Sequence, residues 1–104
     1  MAQFDAYPNP GRNRERIPFV LDVQSNLLRD LATRVVVPLG IPDIVERQYL
    51  GALHPVLKIA RRQVVLLSTE IAHMPMRLLS RPVANLEAQR FAIMRAIDAV
   101  LSGV

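Results

Sequence analysis

The sequence has no cysteine and no tryptophan. Without cysteine there is no disulfide framework and no thiolate metal site, a composition that suits a reducing cytoplasm. Only two tyrosines and three phenylalanines are available to stack bases, so sequence-specific reading of nucleic acid by this chain alone is not expected. The four glycines are isolated, which excludes a glycine-rich phosphate loop. His54 and His73 are the two histidines, and no histidine pair has metal-ligand spacing. Long apolar runs are missing too: Val35–Val37 and Val64–Leu67 are far too short to span a bilayer. The N-terminal stretch lacks the apolar segment of a signal peptide. The expectation is a cytoplasmic protein with no membrane partner, no metal and no cofactor.

What is present is a 104-residue chain, 51% hydrophobic, with a formal charge of +4. That length fits one compact domain over residues 1–104. A domain of this size has a modest core and often gains stability by pairing. Lys58 is the single lysine among thirteen basic residues; the arginines are scattered. A basic balance suits nucleic acid or an acidic protein partner.

Gln3–Tyr7 alternates and reads as a first strand, followed by a turn at Pro8-Asn9-Pro10-Gly11 and a solvated charge run at Arg12–Arg16. Pro18–Ser25 reads as a strand with Phe19, Leu21, Val23 and Ser25 on one face and Val20, Asp22 and Gln24 on the other. Asn26–Thr33 is a turn or one loose helical turn. Arg34–Leu39 is a β-branched run ended by Pro38, which suggests an edge or a strand end. Gly40–Gly51 holds a short helix or ordered loop. His54–Ala60 is a strand joined through Arg61-Arg62 to Gln63–His73, the longest strand candidate, in which Ser68-Thr69-Glu70 reads as strand composition. Met74–Leu79 bends at Pro75, and Arg81-Pro82 breaks the chain before a helix. Short strands closed by one helix predict a mainly β or α+β fold, a small barrel or twisted sheet with the helix packed on it.

The helix spans Leu86 to Leu101. At about 100° per residue, Leu86, Ile93, Met94, Ile97, Val100 and Leu101 form an apolar stripe, with Glu87, Arg95 and Asp98 opposite. Asn85 is suited to cap it, and Glu87 complements the positive first turn. Phe91 falls on the polar side beside Arg95. Either it packs on a loop or lies flat on the surface, or a second subunit covers that face.

Catalysis is not indicated. His54 and His73 suit structural or surface roles, and Ser25, Ser68 and Thr69 lack a nucleophile context. A ribonuclease using dispersed arginine and histidine would leave little trace, but protein binding is the default expectation.

Phe19–Leu39, FVLDVQSNLLRDLATRVVVPL, resembles the CcdB family of toxins from bacterial type II toxin–antitoxin modules. The resemblance continues through Leu53-His54-Pro55-Val56 with Ile59, through Met74-Pro75 and Val83-Ala84-Asn85-Leu86, to the Ser102-Gly103-Val104 terminus. It implies an SH3-like antiparallel barrel with a C-terminal helix, forming a homodimer. It also implies a function: binding the A subunit of DNA gyrase and trapping the enzyme on cleaved DNA. Such a toxin is a clamp rather than an enzyme. By matching position, the gyrase-contacting residues are Ser25, Leu27 and Leu28 after the strand, and Asp98, Leu101, Ser102, Gly103 and Val104 at the helix end. The family pattern has tryptophan where this chain has Ser102. The resemblance further implies a CcdA-like antitoxin, with loops Pro8–Arg16 and Pro42–His54 as candidate contacts, and repression of the operon on operator DNA only together with that antitoxin. Two alternatives stand beside it: an endoribonuclease toxin of the Kid/MazF type, and a dimer that keeps the fold but not the gyrase target.

Overall fold

The computed structural model describes residues 2–46 and 49–103. Val104 and part of the Gly40–Gly51 segment lie outside the described residues. Seven short strands make one antiparallel sheet: β1 Asp5–Pro8, β2 Phe19–Asp22, β3 Thr33–Gly40, β4 Val56–Ile59, β5 Arg62–Leu66, β6 Ala72–Pro75 and β7 Ala84–Asn85. The path runs β4-β5-β3-β2-β1-β7, and β6 pairs with β3. One helix, α1 Arg90–Ser102, closes the chain. The architecture is the expected one, mainly β and barrel-like with a C-terminal helix.

The period-two alternation of β2 sorts its side chains as the sequence predicts. Leu21 and Val23 join Val37, Leu39, Leu57, Ile59, Val64 and Leu66 in the main core, where Ile93, Ala96 and Ile97 of α1 pack. Val20 faces the opposite way, into a smaller core with Tyr7, Val36 and Leu79. The sheet is therefore covered on both sides around β1–β3.

Three boundaries differ from expectation. Pro38 does not end β3, which continues to Gly40. The Pro38 carbonyl accepts the Leu67 N–H at 3.0 Å, so the N–H that proline lacks belongs on the same edge. There β3 changes partner, pairing Thr33–Val36 with β6 and Leu39–Gly40 with β5. A missing donor costs least at such a change of partner. The β4–β5 hairpin turns at Ala60-Arg61, one residue earlier than Arg61-Arg62, because Ile59 pairs with Arg62 and Ala60 takes a φ of +54°. The long Gln63–His73 strand is divided in two. Ser68–Glu70 forms a single 3-10 turn between β5 and β6. The Ser68 hydroxyl is buried and donates to the Leu53 carbonyl. This corner moves the chain from its β4 pairing across to β3.

The helix begins later than Leu86. Glu87–Gln89 is a 3-10 turn whose Glu87 N–H is capped by Asn85 Oδ1 at 2.9 Å. Gln89 then clamps Lys58 of β4, its Oε1 accepting the Lys58 N–H at 2.9 Å and its Nε2 donating to the Lys58 carbonyl at 2.8 Å. This clamp fixes the start of α1 against the sheet. Of the predicted apolar stripe, Leu86, Ile93 and Ile97 are buried, Met94 and Val100 are half-buried, and Leu101 is exposed.

Candidate target-binding surface

The segment Asp22-Val23-Gln24-Ser25 ends β2 and builds the turn that follows. Asp22 and Arg34 are both fully buried and form an ion pair, Arg34 Nε to Asp22 Oδ2 at 2.8 Å. Asp22 Oδ1 also accepts the Gln24 N–H at 3.0 Å. Gln24 is itself buried. Its Oε1 accepts the Val35 N–H at 3.0 Å, and its Nε2 donates to the Leu28 carbonyl at 2.8 Å. Ser25 Oγ accepts the Leu27 N–H at 3.2 Å and caps the 3-10 turn Asn26–Leu28. Asn26 Oδ1 accepts the Gln3 N–H at 2.9 Å, tying the turn to the N-terminal segment. The consequence is a fixed turn holding Leu27 out at 94% exposure, with Leu28 half exposed beside it.

Sequence reasoning placed Asp22 and Gln24 on one strand face but missed that they form the inner layer of this turn. The available signal was an aspartate and a glutamine alternating with Val20 on one face of an otherwise apolar strand, with one arginine just before Val35-Val36-Val37. Tyr7 lies close by, its hydroxyl 3.4 Å from Asp5 Oδ2. Burial, then the negative charges of Asp5 and Asp22, push its pKa up to about 12.

The end of α1 is built differently. Gly103 takes a left-handed φ of +73°, and its N–H reaches the Ala99 carbonyl at 2.9 Å. Glycine adopts that conformation without a Cβ penalty. Ser102 Oγ donates back to the Asp98 carbonyl at 2.7 Å, so the small side chain folds onto its own helix. Asp98, Ser102 and Gly103 are exposed, and Leu101 stands out at 72%. Phe91 is 78% exposed with the Arg90 guanidinium 5.1 Å from its ring centre.

Among the described residues, no hydrogen bond or core cluster joins Ser25, Leu27 and Leu28 to Asp98, Leu101, Ser102 and Gly103. No catalytic constellation emerges either. His54 Nδ1 lies 3.2 Å from the Tyr49 carbonyl, and His73 is exposed on β6. Among the described residues neither imidazole has a carboxylate partner, and no cluster of His, Asp and Glu could hold a metal ion. No helix there is long and apolar enough to cross a membrane.

The fold is that of a small helix-capped barrel also seen among toxin–antitoxin proteins. A solved structure from Mycobacterial species, an endoribonuclease in complex with its cognate antitoxin, is similar with a TM-score of 0.73. The match covers 97% of this chain and 94% of that one at 15% identity, a likeness of fold. The family model of the CcdB protein matches residues 3–103. The chain belongs to the CcdB family.

Proposed function

We propose that this protein is the toxin of a toxin–antitoxin module and that it acts by binding the A subunit of DNA gyrase, trapping the enzyme on cleaved DNA. The observation that carries this reading is Leu27. A large apolar side chain held almost wholly in solvent by a turn locked from beneath is unfavourable for an isolated protein and useful for a bound one. The target is the one that the resemblance to CcdB toxins implies, and membership in that family supports it. In the homodimer that the resemblance implies, the helix ends and the turn after DVQS lie at the dimer axis, so the two groups of contact residues form one surface. A symmetric surface of that kind suits a symmetric target. An acidic antitoxin that folds on binding fits the basic chain, and the fold neighbour is itself held with its antitoxin.

One observation favours a second reading: that neighbour is an endoribonuclease. RNA cleavage needs an arginine and an acid–base residue converging on one site, and among the described residues His54 and His73 have no such company. A single experiment separates the readings. Purified protein is added to gyrase and supercoiled plasmid, with RNA in a parallel tube. Linear DNA appearing after protease digestion supports gyrase poisoning. RNA cleavage with gyrase unaffected supports the ribonuclease, and silence in both assays shows a fold kept for another target.

A further inference from the structure

The formal charge of +4 is concentrated in two segments. Residues 9–16 carry Arg12, Arg14 and Arg16 against Glu15, and residues 76–82 carry Arg77 and Arg81 with no acid. These five arginines against one glutamate account for the whole net charge; the remaining eight basic and eight acidic residues cancel. The fold sets the two segments side by side. Arg14 from the β1–β2 loop and Arg77 from the 3-10 turn after β6 line one open groove of about 380 Å³, with Asn9, Pro10, Leu78 and Ser80 between them.

The loop is organised in advance of any ligand. Asn9 is buried; its Nδ2 donates to the Ile17 carbonyl at 2.8 Å and the Arg12 carbonyl at 3.2 Å, while its Oδ1 accepts the Gly11 N–H at 2.9 Å. Arg14 spends only its Nε on the loop, donating to the Gly11 carbonyl at 3.3 Å. Neither Arg14 nor Arg77 has a carboxylate partner among the described residues, so their guanidinium forks face solvent unneutralised.

We propose that this groove binds the phosphodiester backbone of duplex DNA without regard to sequence. Two planar guanidinium groups match phosphate oxygens bidentately. No aromatic side chain lines the groove, so it offers no stacking platform for the splayed bases by which single-stranded RNA is held. Of the exposed large apolar side chains Leu78 alone lines it, while the most exposed ones that a folding peptide would use, Leu27, Phe91 and Leu101, lie outside its lining. The chain thus touches DNA phosphates itself, beyond any contact an antitoxin supplies, and this holds whether or not gyrase is the target.

The test is fluorescence anisotropy of a labelled random-sequence duplex with the full chain, titrated across salt concentration. Each lost phosphate contact lowers the slope of log K against log salt by about 0.9. Arg14→Gln with Arg77→Gln should weaken binding at low salt by at least about tenfold and flatten the slope by roughly 2 for each groove engaged. Arg95→Gln, exposed on α1, should change neither. Both groove arginines are exposed, and circular dichroism confirms that the double variant is folded. The proposal is overturned if the wild-type chain does not bind the duplex at low salt, if the double variant binds it as well as wild type, or if single-stranded RNA or polyglutamate competes as well as duplex DNA.

Discussion

Removing one member of the Asp22–Arg34 pair should unfold much of what the pair supports. Both side chains are fully buried and meet at 2.8 Å. At an effective dielectric of about 20 the attraction is roughly 6 kcal/mol, and it is opposed by several kcal/mol of lost hydration for each ion. The intact pair is therefore close to neutral for stability. The singles are not, because each strands a charge where water cannot reach it, at about 3–5 kcal/mol. Asp22→Asn should be the worse of the two. The Arg34 guanidinium cannot shed its charge, and its Nη1 and Nη2 already lack acceptors among the described residues. Arg34→Met leaves an aspartate that still accepts the Gln24 N–H. A domain of 104 residues has a total stability of about 5–15 kcal/mol, so either single removes roughly a fifth or more, with a fall in melting temperature upwards of about 12 °C. The double variant Asp22→Asn/Arg34→Met removes both charges and should cost less than either single. Urea unfolding followed by circular dichroism at fixed protein concentration measures all four proteins. Singles that each cost under about 1 kcal/mol, or a double that costs their sum, would refute the account of a buried, coupled pair.

Four further outcomes follow from the same geometry. Burial and Asp5 keep the Tyr7 hydroxyl protonated to about pH 12, above its unfolded value of about 10. Its stabilisation is therefore complete below about pH 10 and is lost between about 10 and 12, by up to roughly 3 kcal/mol; urea melts across that range should show the decline, and Tyr7→Phe should remove it. Leu27→Ala, at a side chain almost wholly exposed, should leave stability within about 0.5 kcal/mol yet weaken target binding by at least about tenfold in a titration against the gyrase A subunit. Gln24→Leu unpairs the Val35 N–H and the Leu28 carbonyl and should cost about 1–3 kcal/mol, together with binding, because the turn beneath Leu27 loosens. Deleting Ser102–Val104 should abolish poisoning in the plasmid assay while melting remains cooperative, since Ser102 and Gly103 are exposed and bond only within their own helix.

What could be read from the sequence followed from local physics. The alternation in β2 set its faces, and the periodicity of Leu86–Leu101 placed the helix and its buried side. The corners could not be read that way. Ser68-Thr69-Glu70 is as compatible with strand as with turn by composition; what decides it is the distant Leu53 carbonyl that takes the Ser68 hydroxyl. Pro38 reads as a stop, and it is tolerated only because β3 happens to change partners beside it. The delayed start of α1 depends on Gln89 reaching Lys58, thirty-one positions away in sequence. Each of these is a long-range pairing that overrides a local preference.

The same distinction bears on the DVQS segment. Asp22 is used up by Arg34 and the Gln24 N–H, Val23 is in the main core, Gln24 is spent on Val35 and Leu28, and Ser25 caps the turn. The segment most responsible for the resemblance is therefore spent on building the turn. It would serve equally under any side chain at position 27. The resemblance is strong evidence of fold for that reason, and under the proposed function the contact falls to neighbours whose side chains stand in solvent, Leu27, Leu28 and Leu101, with the small tip at Ser102 and Gly103. With no aromatic at 102 to bury, an interface on this surface draws its apolar contact from the leucines. Restoring bulk through Ser102→Trp should raise gyrase affinity if the tip enters the target's pocket. Unchanged affinity in the same titration would place the contact on the Leu27 turn alone.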